Sequence, residues 1–366
     1  MKCFKTLFGS DNRTFKEEDA NFAAKFAVLK AELGFIFASF ASKVPLLALF
    51  WYSTANSDLG APEFDGGAGA IVGVGFGLST IGVVYFTCLR GRNNLGGETI
   101  SIQELRMYHL VAGIVQTLLA IAMFGYIRNP DNKVFDGERS YGNVINTFSV
   151  WTETAPDTFS ITAEAENLGG GDSASPGVAL PALPPAFGMI SGIQHLISSK
   201  ILNEKRLFTT FGGAWFPRII DYALSTPLIF LTNMYFFDTD ITLFSIVLVF
   251  AAFGLLMFCG YASEVAWYAS LGDFPVYAPF VAGSIYFLLT WIPLGFQLEA
   301  SVRVSTADTP WFVYAFTAWV FSSFCFFPFI TLKKVTARAP KPKREEIKMG
   351  LLSNEPIAES TFRSLM

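Results

Sequence analysis

The sequence predicts an all-α integral membrane protein built as a bundle of seven transmembrane helices, and three observations carry that prediction. The 366-residue chain is 52% hydrophobic and only 15% charged, against roughly 25% charged residues in an average soluble domain. Its apolar residues gather into seven runs, each near the roughly 20 residues a helix needs to cross a bilayer. These are Ala31 to Tyr52, Ala68 to Leu89, Met107 to Ile127, Phe216 to Phe237, Ile241 to Tyr261, Val276 to Phe296 and Trp311 to Leu332. Most connectors are short, the fourth and fifth runs being joined by Asp238 to Asp240 alone, so consecutive helices are expected to be antiparallel neighbours.

Residues 1–30 form a polar lead-in without a signal-peptide core, so the first run is expected to act as its own insertion signal. Residues 31–332 make up the bundle, interrupted by a long polar insertion over 128–215. Within it, Asn167 to Pro185 holds a Gly run and a Pro/Ala run and reads as disordered or loosely folded. The stretch Phe187 to Ile201 is moderately apolar, but Gln194, His195 and its serines favour a helix lying on the membrane surface over an eighth span. Residues 333–366 read as a basic, disordered tail, and seven crossings place the two termini on opposite faces. The basic residues then divide between the faces: Lys25, Lys30, Arg90, Arg92 and Arg106 on one, the tail on the other. The positive-inside rule therefore leaves orientation open.

Composition also excludes partners and chemistries. A formal charge of −4 offers no footprint for nucleic acid. Cys3, Cys88, Cys259 and Cys325 are scattered and define neither a disulfide framework nor a metal motif, and His109 and His195 are too few for a transition-metal centre. No metal site and no enzymatic activity are expected.

In spans nearly empty of charge, the exceptions are functional candidates, because an ionisable group at mid-bilayer is costly. Lys43 lies on the order of 14 Å from the nearer end of its span at 1.5 Å per residue, beyond the reach of a snorkelling lysine. On the fourth span Arg218 and Asp221 share a face, which Ser225 extends by one turn. A buried ion pair between helices, or a lysine facing a water-filled cavity, accounts for these residues without further function. A desolvated lysine opposite a carboxylate is equally suited to condense with an aldehyde as a Schiff base, whose protonated form needs a counterion. Pro45 adds a local feature, since it removes a backbone donor and frees the Ala41 carbonyl beside the lysine.

The fourth span reads Trp215-Phe-Pro-Arg218-Ile-Ile-Asp221-Tyr222-Ala-Leu-Ser225-Thr226-Pro227-Leu228. It resembles helix C of the microbial, type I rhodopsin family, where Trp-x-Arg-x-x-Asp-Trp-x-x-Thr-Thr-Pro-Leu places the Schiff-base counterion and proton acceptor at the aspartate. The seventh span, with Phe324-x-x-Phe327-Pro328, is similar to the Trp-x-x-Tyr-Pro of helix F. On this register the second and third spans resemble helices A and B, and the chain ends after helix F. The lysine-bearing helix G is missing from its usual place. The first span, with Phe40-Ala41-Ser42-Lys43-Val44, is similar to the Ser-Ala-Lys-Val stretch of that helix. A helix placed directly before helix A runs antiparallel to it, whereas helix G ordinarily runs parallel, so the lysine helix is expected to fill its slot upside down.

The resemblance implies a rhodopsin-like bundle of rearranged helix order that binds retinal on Lys43, with Asp221 as counterion and proton acceptor and with Arg218, Ser225 and Ser39 tuning it. It implies a pocket of Tyr222, Thr226, Ile229, Gly254, Phe258, Phe324, Phe327 and Pro328. Ser39 stands where the family carries a second carboxylate, and Thr232 where outward pumps carry a proton donor. Light-driven transport of an ion, a proton foremost, and photosensing are both compatible with this set. Retinal and the lipid bilayer are the expected partners, and a homo-oligomer is an open alternative. The rival reading is a rhodopsin-shaped scaffold or chaperone-type membrane protein that binds no retinal, which would have no need of Lys43.

Overall fold

In the computed structural model the described residues are 17–55, 66–84, 102–128, 141–155, 158–169, 178–179, 182–203, 215–234, 240–268, 271–304 and 311–336. The apolar runs form helices as their composition requires: α1 (Glu17–Ala55), α2 (Gly66–Val84), α3 (Ile102–Arg128), α5 (Trp215–Met234), α6 (Leu243–Tyr268), α7 (Asp273–Val304) and α8 (Trp311–Val335). A further helix, α4 (Leu183–Ile201), brings the number among the described residues to eight. Five stretches are long and apolar enough to cross a membrane: Ala27–Tyr52, Ile102–Arg128, Leu243–Tyr268, Asp273–Ala300 and Tyr314–Val335. The apolar part of α2, Ala70–Gly82, is shorter.

Helix α4 corrects the expectation of a surface helix over Phe187 to Ile201. Its polar residues Ser191, Gln194, His195, Ser198 and Ser199 are buried, while Ile193 and Ile197 face outward. The helix is inside out relative to a soluble amphipathic helix, which is why its mean hydropathy misleads. It is seated by glycines. A Cβ on Gly113 of α3 would lie 2.8 Å from the Leu196 backbone nitrogen, and one on Gly192 would lie 2.8 Å from that of Thr117. Small residues let two backbones approach closely where lipid gives no hydrophobic drive.

Two apolar clusters define the ends of the bundle and the direction of each helix. One joins Val28, Leu33 and Ile36 of α1 to Leu105 of α3, Leu202 after α4, Trp267 of α6, Val276 of α7 and Val335 of α8. The other joins Leu46 to Phe50 of α1 to Val72 of α2, Ile127 of α3, Phe187 of α4, Met234 of α5, Val249 of α6, Trp291 of α7 and Trp319 of α8. We call these the α1-start end and the α1-finish end. Helices α1, α3, α5 and α7 therefore run one way and α2, α4, α6 and α8 the other. One expectation falls with this count: the termini of the helical region, the start of α1 and the finish of α8, lie at the same end. Helix α1 runs antiparallel to α2, as expected, and parallel to α3. Helix α1 is central, packing against α2, α3, α4 and α8.

Beyond its helix, the insertion holds a β-hairpin that its composition did not announce. Strands β1 (Tyr141–Ala155) and β2 (Thr158–Gly169) pair antiparallel, from Ala155 opposite Thr158 to Val144 opposite Gly169. Strand β3 (Val178–Ala179) pairs with the beginning of β1, and β4 (Asp240–Thr242), just before α6, pairs with it in parallel. Since Ile241 belongs to the α1-finish cluster, the sheet is tied to that end.

Candidate functional site

Lys43 stands on α1 between the two apolar clusters, 2% exposed, and its Nζ lies 3.2 Å from Oδ2 of Asp221 on α5. Ser191 of α4 stands between them: Nζ donates to its Oγ, and the hydroxyl donates to Oδ1 of Asp221. The rings of Phe187 and Tyr222 flank the amine at 4.8 and 5.0 Å. Three helices thus converge on one charge pair sealed from water. Such a pair persists only where the geometry offsets a desolvation cost of several kcal/mol per ion.

From this centre a line of buried polar groups runs toward the α1-start end. Ser39, one turn before Lys43, holds Nε2 of His195 at 2.8 Å, and His195 Nδ1 meets His109 Nδ1 at 2.8 Å. His109 Nε2 reaches Glu32 at 3.2 Å, and Arg218 donates to the same carboxylate at 2.7 Å. Arg218 also lies 3.5 Å from Glu264 on α6, which accepts from Lys334 on α8. The Arg218 guanidinium is stacked 3.8 Å from the Phe35 ring centre. The ladder corrects the reading of Lys333 and Lys334 as the start of a disordered tail, since both are in α8 and Lys334 is buried. In the other direction the centre is apolar and aromatic. Every buried Asp, Glu, Lys, Arg and His among the described residues belongs to the centre or the ladder; beyond Asp221 on α5, only Ser225, Thr226, Thr232 and Asn233 add buried polarity.

Arg218, Asp221, Ser225 and Ser39 are thus all buried around the centre. Ser225 Oγ has no hydrogen-bond partner among the described residues. Of the pocket candidates, Tyr222 packs on Phe327 and borders the amine, Thr226 and Ile229 are buried, Phe324 packs on Phe253 and Trp291, and Pro328 is half-buried in α8. Gly254 faces open space, with nothing within 4 Å of a Cβ placed there. Phe258 is a correction. It is 62% exposed on the outer face of α6 and cannot line the interior, whereas Phe253 and Met257 turn inward.

Sequence reasoning missed Ser191, Glu32, Glu264 and Lys334, although part of the signal was present. Glu32, Ser39 and Lys43 are spaced by seven and four residues, which puts them on one face of α1, as does the spacing of His109 and Gln116 on α3. A polar stripe on an otherwise apolar helix marks the side turned to a polar interior.

Fold and site together define an integral, multi-pass membrane protein of the rhodopsin type. Residues 105–337, more than half of the chain, match the heliorhodopsin family, and the chain belongs to that family. No curated protein and no solved structure gave a match. The family is rhodopsin-like but distinct from the type I rhodopsins that the α5 motif resembles, and membership points to a retinal-binding, light-sensing membrane protein. The match opens in the first turn of α3 and closes just beyond α8. It takes in six helices and leaves α1, with Lys43, and α2 outside. Counted back from α5 as helix C, the preceding helices α4 and α3 take the places of B and A, which shifts the sequence-based register by one helix.

Proposed function

We propose that the protein is a light sensor that holds retinal on Lys43, with α1 serving as the lysine helix displaced to the front of the chain. The observation that carries this reading is the contact of Lys43 with Asp221 and Ser191 in the sealed centre of the bundle. Lys43 would hold retinal through its aldehyde, and the bound group would supply a polyene able to absorb visible light and isomerise. The residues present fit that group. The amine is the one buried lysine among the described residues that faces the bundle centre, it has a carboxylate partner, and rings border it. Tyr222 borders the amine, Phe324, Phe253 and Trp291 offer aromatic walls toward the α1-finish end, and Ser225 Oγ and Trp291 Nε1 are buried without hydrogen-bond partners among the described residues.

The chain's own groups then have distinct tasks. Asp221 keeps a proton on the lysine-derived nitrogen by opposing its charge, and Ser191 fixes the carboxylate by donating to it. Phe187 and Tyr222 exclude water. Ser39, His195 and His109 offer a hydrogen-bonded route along which a displaced proton can be accepted, with Glu32, Arg218, Glu264 and Lys334 as its charged terminus.

Photosensing is favoured over transport because this route reaches one end only. From Asp221 to the finish of α5 at Met234 is about 20 Å at 1.5 Å per residue, and the buried polar residues along it are hydroxyls and one amide. The helix count also gives an orientation. Among the described residues, Lys30, Arg106, Lys200, Lys333 and Lys334 belong to the α1-start end, against Arg128 and Arg303 at the other, so the positive-inside rule favours a cytoplasmic α1-start end. No enzymatic step is needed in this scheme.

The test is expression with all-trans retinal, followed by absorption spectroscopy and voltage clamp. A visible band that bleaches with hydroxylamine and is lost in Lys43→Ala, without steady photocurrent, is the expected result. A colourless wild-type protein would return Lys43 and Asp221 to a structural ion pair in a scaffold.

A further inference from the structure

The covering helix α2 lies outside the family match and carries nothing charged over its described length, yet it touches α1 at the turn that bears Lys43. Pro45 has no N–H, so the Ala41 carbonyl, which would accept from residue 45 in a regular helix, loses its donor. Ala41 is buried. A backbone carbonyl left unpaired in such a place costs several kcal/mol. The donor comes from α2. The Ser79 Oγ lies 2.5 Å from the Ala41 oxygen and 2.6 Å from its own helix's Gly75 oxygen. It has a single proton to give. Gly75 is already served by the α2 backbone ladder, so the proton is of most value at Ala41.

The two helices approach closely on either side of this contact. A Cβ on Gly75 would stand 2.7 Å from the Trp319 ring and 2.8 Å from Pro45 Cβ, and one on Gly82 would run into the Phe37 ring. The three approaches, Gly75 to Pro45, Ser79 to Ala41 and Gly82 to Phe37, follow one antiparallel register. Helix α2 is thus seated on α1 over the turns on either side of Lys43. One turn earlier on α1, Ser42 Oγ bonds the Ala38 carbonyl at 2.6 Å.

We propose that Ser79 is a positioning residue for Lys43: its hydroxyl replaces the backbone donor that Pro45 lacks, and so sets the turn of α1 that aims Nζ at Ser191 and Asp221. The proposal rests on the retinal reading above. It makes α2 a working part of the chromophore site rather than a connector, and it explains how a proline can sit two residues from the attachment point without loosening it.

A double-mutant cycle separates this role from packing alone. Ser79→Ala should still fold and take up retinal, but with a displaced visible band and with dark bleaching by hydroxylamine accelerated roughly fivefold, the worth of one net hydrogen bond. Ser79→Thr, which keeps the hydroxyl, should restore both. Pro45→Ala returns a backbone N–H to the Ala41 carbonyl, so Ser79→Ala with Pro45→Ala should also recover the wild-type band and bleaching rate. Simple loss of packing at residue 79 would not be repaired in that way. A Ser79→Ala protein spectrally and kinetically identical to wild type, or a double variant no better than the single, overturns the proposal. A colourless wild type overturns the retinal reading and with it any positioning role. The same cycle read by thermal unfolding of the retinal-free protein would still decide whether Ser79 serves the Ala41 carbonyl.

Discussion

Removing Lys43 should do more than bleach the protein. Lys43→Ala leaves Asp221 buried with Ser191 as its remaining described hydrogen-bond donor, in a site about 2% exposed. At 3.2 Å two unit charges attract by about 5 kcal/mol at an effective dielectric of roughly 20. That figure is a ceiling, since desolvation offsets much of it. The measured cost of breaking a buried pair by deleting one partner is about 3 to 5 kcal/mol, most of it the penalty on the charge left behind. The double variant Lys43→Ala with Asp221→Asn strands no charge and should recover most of that loss. The assay is unfolding of the purified retinal-free protein, followed by tryptophan fluorescence, for wild type, both single variants and the double. A sum of the single losses well above the loss in the double, by about 2 kcal/mol or more, is expected. Strict additivity would mean that the two side chains do not hold each other, and the site would lose its basis. Both variants lacking Lys43 should be colourless whatever their stability.

Other outcomes follow from neighbouring contacts. With retinal bound, Asp221→Asn should shift the visible band to the red while the nitrogen stays protonated and to the near ultraviolet once it does not, as read by a pH titration of the spectrum. Phe253→Ala should cost about 3 to 5 kcal/mol of unfolding free energy as a buried aromatic deletion, whereas Phe258→Ala, on the outer face, should leave the band in place. Gly113→Val should destabilise by about 1 to 3 kcal/mol through overpacking, because its side chain would enter the Leu196 backbone. The loss should show as a lowered thermal midpoint.

What could be read from the sequence was decided by which free-energy term dominates each segment. Helices α3, α6, α7 and α8 meet lipid over much of their surface, so apolar composition alone announces them. Helix α4 buries its polar face and presents Ile193 and Ile197 outward, so a mean over its residues cancels the signal that its periodicity keeps. Glu264 and Lys334 were left outside their spans because a charged residue reads as a span boundary. Here each charge is neutralised by the other inside the bundle, a cancellation that exists only once α6 and α8 are side by side. Lys43 and Asp221 were legible because an ionisable residue within an apolar run is costly and so stands out whatever its role, while Ser191 was not, because a serine in a helix carries no such penalty. Phe258 was placed by analogy with one helix register, and in so apolar a helix as α6 nothing in the residue types distinguishes the inward face from the outward one.

The position of α2 follows from direction. A lysine helix that closes a bundle after α8 would begin at the end where α8 finishes, the α1-start end, and run parallel to α3. Moving that helix to the front of the chain keeps its direction only if an odd number of crossings lies between it and α3. One helix must therefore be added between them. Without α2, α1 would enter the slot reversed, and its polar stripe of Glu32, Ser39 and Lys43 would run the wrong way, carrying Glu32 toward the apolar α1-finish end and away from Arg218 and His109. With α2, Glu32 meets both partners, and Lys43 meets Asp221. The added helix also brings Ser79 to the Ala41 carbonyl. The topological requirement and the hydrogen-bond requirement of Pro45 are thus met by one element, and deleting residues 56–101 so that α1 is joined directly to α3 should abolish retinal binding even though Lys43, Ser191 and Asp221 all remain.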